Sequence, residues 1–436
     1  MIAQCLRLAL GRVIAALMLA PLASSADTAE NMFRGHGGPV RALAVSSNNN
    51  LAISGSFDQS AIIWNLATGA AVSVLRFHDG AVNAVAAMPG GRFATAGEDG
   101  RIAIWKSGES APLQTFEEHK GPIAALAVSP DGQEIASASW DETVSLRSLR
   151  SGGSKVFKGH HGNVNAVAFL PDGRLVSGGY DTTVRIWPPE PDSGAVSAIT
   201  LGSPVNALAV SHKGEIIAAG ADGVLQVFAS DGTRRVSVET QEVPITSLAV
   251  SADDSKIAAA SIAGSITIID AIAAKVISQI PGKQPIWALA FTPEGNELLS
   301  GGSDRLIRRW NAANGEPIAK HTETSLPDML AAFSGDRGAE VFRACIACHT
   351  LKCDADNRAG PSLDHVFGRR IATAPGYNFS PALKKLDIVW NAETIGKLFE
   401  IGPSRYTPGT KMPEQRIENA ADRDALINFL ERATRN

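Results

Sequence analysis

The stretch Ser56-Phe57-Asp58-Gln59-Ser60-Ala61-Ile62-Ile63-Trp64 places a tryptophan six residues after an aspartate, and this arrangement recurs along the chain. The aspartate position returns at Asp99, Asp141, Asp181, Asp222, Ala263 and Asp304. The tryptophan position returns at Trp105, Arg147, Trp187, Phe228, Ile269 and Trp310. Successive copies are separated by 41, 42, 40, 41, 41 and 41 residues. Such a regular period predicts seven structural repeats that pack side by side.

Each repeat has the sequence character of short β-strands. The runs Val40-Arg41-Ala42-Leu43-Ala44-Val45 and Val164-Asn165-Ala166-Val167-Ala168-Phe169 are alternating apolar stretches, and turn residues such as Pro130-Asp131-Gly132 follow stretches of this kind. Two further short strands, separated by another turn, complete each copy. This period of two predicts an all-β domain built from small sheets.

These repeats resemble the WD-repeat family over the span from about Gly35 to Ala319. A histidine marks the start of the first four repeats, at His36, His78, His119 and His160. The resemblance implies an all-β, seven-bladed propeller, in which four-stranded blades close into a ring. Repeats five to seven lack the histidine, and the second aspartate of the family's dipeptide is missing throughout, so the chain is a divergent member.

The same resemblance gives a structural role to several polar residues. It implies a buried hydrogen-bond chain within a blade, rather than catalysis by the histidines and aspartates. In repeat four this chain would join His160, Ser177, Asp181 and Trp187. To close the ring, either Asn31-Met32-Phe33 or Pro317-Ile318-Ala319 has to pair with the blade that contains Trp310. The sequence leaves both possibilities open.

Near the C-terminal end lies the run Cys345-Ile346-Ala347-Cys348-His349, which is typical of covalent haem attachment. Two thiols three residues apart can each add to a vinyl group of the ring, and the histidine that follows can bind the iron. A thioredoxin-like cysteine pair would need a βαβ context, and for a zinc site only Cys353 and His365 lie nearby. We therefore predict one covalently bound haem c.

An octahedral iron needs a second axial ligand, and Met412 is the only methionine after the attachment run. It lies in Thr407-Pro408-Gly409-Thr410-Lys411-Met412-Pro413, a loop stiffened by two prolines. Such a loop can hold a thioether against the far face of the ring, so we predict His349 and Met412 as the metal ligands. His365 is the alternative second ligand, which would give a bis-histidine iron.

From about Gly335 to Asn436 the residues resemble the class I c-type cytochromes, close to the mitochondrial pattern, which implies an all-α cytochrome c domain. The run Gly338-Ala339-Glu340-Val341-Phe342 is similar to the family's N-terminal helix, whose glycine and aromatic residue meet the C-terminal helix. That second helix is predicted at residues 422–434, with its apolar residues, Phe429 among them, on one face.

The cytochrome resemblance also implies roles around the haem. The carbonyl oxygen of Pro361 would accept a hydrogen bond from His349 and so orient its ring. Tyr377, Trp390 and Tyr406 would line the crevice, with plain core packing as the alternative for each. The residues predicted to bind the cofactor are thus Cys345, Cys348, His349, Pro361, Tyr377, Trp390, Tyr406 and Met412, and no catalytic residue is predicted.

The first 26 residues have the pattern of a secretory signal peptide. Arg7 and Arg12 precede or adjoin the apolar run 13–22, and Ala23-Ser24-Ser25-Ala26 offers a cleavage site. An uncleaved membrane anchor is the alternative, although the apolar run is short for a span. We expect export to the periplasm of a Gram-negative bacterium, with no membrane span after cleavage.

Four segments are therefore predicted: a signal peptide at 1–26, the propeller at 27–320, a linker at 321–337 and the cytochrome domain at 338–436. The net charge of −4 argues against nucleic acid and against an anionic membrane surface as partners. Basic residues at 369–370, 384–385 and 411 form either a docking surface for an acidic protein or an ordinary solvated surface. Cys353 lies outside the attachment motif and is expected to be a free thiol, with a dimer disulfide or a redox tag as alternatives.

Three functions fit these features. We expect a c-type cytochrome that carries single electrons, with the propeller as a docking platform for a redox protein or a respiratory complex. The alternatives are a propeller-based redox enzyme whose electrons drain through the haem, and a haem-linked signalling scaffold. The sequence shows no cluster of ligand residues on the propeller loops, which favours a binding protein over an enzyme.

Overall fold

A computed structural model describes residues 32–47, 50–190, 197–240, 243–318, 330–346, 348–352, 360–375, 377, 379–410, 412 and 415–435. The predicted signal peptide lies outside these residues, as do Cys5, Cys353 and Lys411. Along the described chain a β-rich part ends at Ile318 and a helical part begins at Leu330.

The strands of the described chain form seven four-stranded antiparallel sheets, one for each sequence repeat. The strands up to the end of the fourth repeat are β1 (Met32–Phe33), β2 (Val40–Val45), β3 (Leu51–Ser56), β4 (Ala61–Asn65), β5 (Ala71–Leu75), β6 (Val82–Met88), β7 (Arg92–Gly97), β8 (Arg101–Lys106), β9 (Gln114–Glu117), β10 (Ile123–Val128), β11 (Glu134–Ser139), β12 (Thr143–Ser148), β13 (Ser154–Lys158), β14 (Val164–Phe169), β15 (Leu175–Gly179), β16 (Thr183–Trp187) and β17 (Ser197–Thr200). Those of the last three repeats are β18 (Val205–Val210), β19 (Ile216–Gly220), β20 (Val224–Phe228), β21 (Arg234–Glu239), β22 (Ile245–Val250), β23 (Lys256–Ser261), β24 (Ile266–Asp270), β25 (Lys275–Ile280), β26 (Ile286–Phe291), β27 (Glu297–Gly302) and β28 (Ile307–Asn311).

The sheets are the blades of a ring. In blades 1 to 6 the strands pair in chain order, as β2-β3-β4-β5 do in blade 1, and in blade 7 the N-terminal β1 supplies the fourth strand. The first strands of successive blades are the inner ones, and each packs against the next: β2, β6, β10, β14, β18, β22 and β26. Because β26 packs against β2, the ring closes. The chain therefore forms the seven-bladed β-propeller that its repeats predict.

Both segments considered for ring closure pair with β28, the third strand of blade 7 counted from the centre of the ring. Strand β1 lies antiparallel to β28, with Phe33 opposite Ile307. Further along β28, Pro317 forms a bridge with Trp310, and the N–H of Ile318 donates to the carbonyl oxygen of Arg309 at 3.2 Å. The N-terminal strand β1 and the segment that follows β28 thus pair with the same strand of blade 7, and this pairing closes the ring.

Apolar side chains fill the spaces between neighbouring blades. Between blades 1 and 2, for example, Ile53 and Ile63 pack with Val82, Phe93 and Trp105, and all five are almost wholly buried. Equivalent clusters occupy the other blade boundaries of the described ring. Burial of apolar surface contributes about 25 cal/mol per Å², so the ring is stabilised at each boundary between blades.

The buried polar chain expected in repeat four is confirmed. The Nε1–H of Trp187 donates to Ser177 Oγ at 2.7 Å, and the Ser177 hydroxyl donates to His160 Nε2 at 2.7 Å. The Nδ1–H of His160 donates to Asp181 at 3.0 Å. Blades 1 and 2 contain the same chain. These groups satisfy one another inside the blade, as buried polar groups must.

Beyond residue 330 the regular elements of the described chain are helices, accompanied by an isolated β-bridge between Arg370 and Val389. They are a 3₁₀ helix (Ala331–Phe333), α1 (Arg337–Phe342), α2 (Pro381–Lys384), α3 (Ala392–Ile401), α4 (Pro403–Tyr406) and α5 (Ala420–Ala433). None of the described helices combines the length and the apolar character needed to cross a membrane.

Helices α1 and α5 cross at close range. An added Cβ on Gly338 would lie 2.1 Å from the carbonyl oxygen of Ala425, so only a glycine allows the two backbones to approach this far. The rings of Phe342 and Phe429 pack 5.4 Å apart beside that contact. The meeting of glycine and aromatic residue with the C-terminal helix is therefore confirmed. Helix α5 begins two residues before its predicted start because Asn419 accepts hydrogen bonds from its first turn.

Candidate functional site

The two cysteines and the histidine of the attachment run lie on turns that follow helix α1. Asp336 caps the start of α1 by accepting from the N–H groups of its first turn. After the helix, the N–H of Cys345 donates to the Phe342 carbonyl oxygen at 2.7 Å, and the N–H of His349 donates to the Cys345 carbonyl oxygen at 3.0 Å. Helix-like turns therefore carry all three side chains to one side of the domain.

Cys345 and Cys348 are not joined in a disulfide. Burial raises the pKa of Cys345 to about 11, so its thiol stays protonated at neutral pH. A thiol can add across a vinyl double bond, with a new S–C bond at one carbon and the thiol hydrogen at the other. This addition needs reduced thiols and no oxidant.

The ring of His349 is held from one side. Its Nδ1–H donates to the carbonyl oxygen of Pro361 at 2.8 Å, which leaves Nε2 as the nitrogen that can bind a metal. Gly360 allows this close approach, because an added Cβ there would lie 2.6 Å from His349 Cε1. The hydrogen bond that the sequence led us to expect is thus present.

A large cavity brings most of the predicted site residues together. It encloses about 1460 Å³, including the open space at its mouth. Seven of the eight predicted residues line it: Cys345, Cys348, His349, Pro361, Tyr377, Trp390 and Met412. Large apolar side chains from α3 and α5, such as Phe399 and Leu430, form the far walls. Paired thiols, an oriented imidazole and a thioether in an apolar cavity fit a covalently bound haem.

The geometry favours Met412 over His365 as the second ligand. Met412 is half-buried and lines the cavity, and its N–H donates to Thr410 Oγ1 at 3.1 Å. The side chain of His365 is 70 % exposed and is not among the described residues that line the cavity. The thioether, and not the second imidazole, therefore lies beside the space that a haem would fill.

Comparison with known proteins identifies both regions of the chain. Residues 335–434 match the family described as cytochrome c. Over 100 residues the chain is 40 % identical to cytochrome c of Cochliobolus lunatus, a match that covers 23 % of this chain and 92 % of that protein. The chain belongs to the cytochrome c family.

Two further relatives agree with this assignment. Cytochrome c of Arabidopsis thaliana is 39 % identical over 100 residues, covering 23 % of this chain and 88 % of that protein. A cytochrome c homolog of Rickettsia felis is 34 % identical over 134 residues, covering 31 % of this chain and 76 % of that protein. The cytochrome c domain is therefore an electron carrier, and the prediction of covalent haem c is confirmed.

The propeller matches a second family, described as WD domain, G-beta repeat. The matches cover residues 28–65, 69–106, 110–148, 153–188 and 274–311. They correspond to blades 1 to 4 and blade 7. The chain thus consists of WD repeats that form a seven-bladed propeller, followed by a cytochrome c domain homologous to class I cytochromes c.

The three predicted aromatic residues of the cytochrome c domain occupy different positions. Tyr377 and Trp390 line the cavity and are half-buried. Trp390 also packs against the domain core, and its backbone N–H donates to the Arg369 carbonyl oxygen at 2.9 Å. Tyr406 ends helix α4, one residue before Thr407, and it is Thr407 that lines the cavity.

The basic residues of the cytochrome c domain divide into two groups. Lys384 and Lys385 are exposed, as a docking surface or a solvated surface requires. The guanidinium of Arg369 instead donates to the carbonyl oxygens of Ser362 and Asp364, both at 2.8 Å, and the residue lines the cavity. Arg369 therefore supports the loop that follows Pro361.

One wall of the cavity comes from the propeller, which sequence reasoning missed. Asp58, Ser60 and Arg76 of blade 1 line the cavity together with residues of the cytochrome c domain. The Cζ of Arg76 lies 4.0 Å from the centre of the Tyr377 ring. These two residues are about 300 positions apart in the chain, and local spacing carries no signal for such a contact.

Proposed function

We propose that this protein is a periplasmic electron carrier that binds one haem c between His349 and Met412, with its propeller as a docking platform for redox partners. The observation that carries this proposal is the single cavity lined by Cys345, Cys348, His349 and Met412. Each of these side chains supplies one of the four bonds that a covalent, six-coordinate haem needs from a protein.

The protein's own residues determine what the cofactor can do. When bound, the haem supplies the exchange of a single electron between its ferrous and ferric states. Pro361 holds the His349 ring in one orientation through the 2.8 Å hydrogen bond. The apolar walls from α3 and α5 exclude water, which together with a methionine ligand favours a raised potential.

An electron carrier is favoured over an enzyme because His349 and Met412 would both bind the iron. With both residues as ligands, no coordination position would remain for a substrate. The histidines that begin the first four repeats are also engaged: His36, His78, His119 and His160 all bond to an aspartate of their own blade. Their Nδ1 protons are therefore used in hydrogen bonds that stabilise the interior of each blade.

Exposed aromatic residues support the docking role. The residue before the turn aspartate is large and exposed in several blades, namely Phe57 (45 %), Trp140 (43 %) and Tyr180 (63 %). Because these positions are equivalent in the repeats, the side chains lie on the same face of the ring. Aromatic residues are enriched at protein interfaces. A periplasmic location agrees with the predicted signal peptide at 1–26, and basic residues of the cytochrome c domain would suit an acidic partner.

The test is to export the full chain in a bacterium that contains the haem-attachment machinery and to compare it with a chain lacking residues 1–26. The exported protein should be recovered from the periplasm with haem that survives denaturation. It should titrate as a single one-electron couple and should not bind carbon monoxide. Haem that binds carbon monoxide readily would contradict the proposal, because it would reveal an open coordination position. Recovery of the haem-loaded protein from the cytoplasm would contradict the periplasmic assignment.

A further inference from the structure

The first blade of the propeller reaches the mouth of the haem cavity at three points. Asp58 and Ser60 lie on the turn between β3 and β4, and Arg76 follows directly after β5. Gly37 precedes β2 and lies against Cys348 of the cytochrome c domain. The blade therefore forms part of the cavity wall, beside the second attachment cysteine.

The contact at Gly37 requires a residue without a side chain. An added Cβ would lie 1.8 Å from the Sγ of Cys348, whereas within the blade its nearest contact, to Asp58 Cβ, would be an ordinary 3.9 Å. The segment is fixed in place because the Gly37 N–H donates to Asp58 Oδ2 at 2.7 Å. A substitution here would therefore strain the contact between the domains and leave the blade itself largely unchanged.

Arg76 brings a positive charge to the cavity mouth. Its guanidinium lies over the Tyr377 ring, with Cζ 4.0 Å from the ring centre, and hydrogen-bonds the Tyr377 hydroxyl. Burial lowers the pKa of Arg76 and raises the pKa of Tyr377. A guanidinium retains its charge even so, and the nearby Asp58 carboxylate favours the charged form of Arg76.

Asp58 is the nearest acidic residue of the wall, and its carboxylate is already engaged within blade 1. It accepts from His36 Nδ1 at 2.9 Å, from the Gly37 N–H, and from the N–H and hydroxyl of Ser60 at 2.9 and 2.6 Å. The positively charged group that blade 1 brings to the cavity is the guanidinium of Arg76.

Haem c carries two propionate groups, which are carboxylates at neutral pH. We propose that Arg76 binds one haem propionate, alongside the Tyr377 hydroxyl, and that blade 1 covers the haem edge next to Cys348. This inference rests on the proposed function. It makes the propeller a wall of the haem site as well as a docking platform.

A cation beside the haem disfavours the ferric state, which carries one more positive charge than the ferrous state. Loss of the Arg76 charge should therefore lower the midpoint potential. Opening of the contact at Gly37 should lower it as well, because water would reach the haem edge. The second change should also speed reaction with a small neutral redox reagent.

The experiment compares full-length, haem-loaded variants by redox titration at neutral pH. Arg76→Ala should have a lower potential than wild type, and Arg76→Lys, which keeps the charge, should recover most of the difference. Arg235→Ala on blade 5 is the control, since it removes a half-exposed arginine that pairs with Glu215 and lies outside the cavity. It should keep the wild-type potential.

Gly37→Ala tests the covering of the haem edge without any change of charge. It should react several-fold faster than wild type with a small neutral reductant, and it keeps the inference testable if Arg76→Ala fails to fold. Wild-type potentials for Arg76→Ala and wild-type reaction rates for Gly37→Ala would overturn the inference. Both results are measured on protein with an intact one-electron couple, so they would leave the proposed function standing.

Discussion

The Nδ1–H of His349 donates a hydrogen bond to the carbonyl oxygen of Pro361 at 2.8 Å, and both residues line the cavity that Met412 also lines. This bond fixes the tautomer and the plane of the imidazole before any ligand binds. The glycine before Pro361 makes it possible, because a larger residue would collide with the ring.

We expect Gly360→Ala to disturb the bond between His349 and the iron while the thioethers remain. The new Cβ would lie 2.7 Å from His349 Nδ1, so the ring has to move away from Pro361. Changes in such supporting contacts weaken metal binding about 10-fold to 100-fold. The ferric spectrum should show a larger high-spin fraction, with haem that still survives denaturation. An unchanged spectrum would mean that the Pro361 hydrogen bond does not position the ligand.

The buried chain of blade 4 predicts a large effect of Ser177→Ala. The substitution leaves both Trp187 Nε1 and His160 Nε2 without the partner that they have in the blade. Each buried group left without a hydrogen-bond partner costs about 1–3 kcal/mol. Because Ser177→Ala leaves two such groups, the free energy of unfolding should fall by roughly twice the cost of one unsatisfied group. Urea unfolding followed by circular dichroism would measure the change.

Blade 3 provides the matched control, because Arg147 stands there at the tryptophan position. Ser137 bonds to His119 Nε2 at 2.8 Å, and Arg147 pairs with Glu118 instead of with the serine. Ser137→Ala therefore leaves only His119 Nε2 without its partner. It should lower the free energy of unfolding by about half as much as Ser177→Ala. Equal losses would contradict the assigned hydrogen-bond chain.

The propeller should lose stability in acid through its turn aspartates. Burial raises the pKa of Asp181, but hydrogen bonds from the His161 N–H, His160 and Thr183 outweigh burial and lower it to about 2. A carboxyl with a depressed folded-state pKa stabilises the fold above its ordinary pKa of about 3.9, and this stabilisation disappears as the pH falls toward 2.

Asp181→Asn should therefore flatten the dependence of the urea midpoint on pH between about 4 and 2. Ser177→Ala serves as the control because it retains the Asp181 carboxylate and should keep the wild-type slope. Parallel profiles for wild type and Asp181→Asn would show that this carboxylate does not contribute.

Two glycines of the cytochrome c domain should respond to alanine in opposite directions. At Gly338 the added Cβ meets the Ala425 carbonyl oxygen, so Gly338→Ala forces α1 and α5 apart and should cost about 1–3 kcal/mol or more. At Gly396, inside α3, it meets only Ile427 Cδ1 at an ordinary 3.5 Å. Gly396→Ala should stabilise the domain by up to about 1 kcal/mol through helix propensity. Thermal unfolding of the haem-loaded protein would compare them.

Most of the fold could be predicted from local sequence because its signals repeat or have fixed spacing. The recurrence of Asp58 and Trp64 gave the number of blades, and Cys345 to His349 gave the attachment site. The approach of Gly338 to the C-terminal helix was predicted through the resemblance of this segment to class I c-type cytochromes.

Other features depend on contacts between distant segments. The wall formed by Arg76 and the fit of Gly37 against Cys348 arise only when the propeller and the cytochrome c domain meet. The strand that closes the ring was left open for a related reason, because the pairing of Phe33 and of Pro317 with β28 joins the two ends of the propeller.

The central claim is that Met412 and His349 bind the two faces of one covalently held haem. The most direct measurement is the absorption spectrum of the ferric protein, including the weak red band that marks methionine on ferric haem. Wild type and His365→Ala should both show the band, and Met412→Ala should lose it while its haem still survives denaturation. A wild-type protein without the band, or a band that persists in Met412→Ala, would contradict the claim.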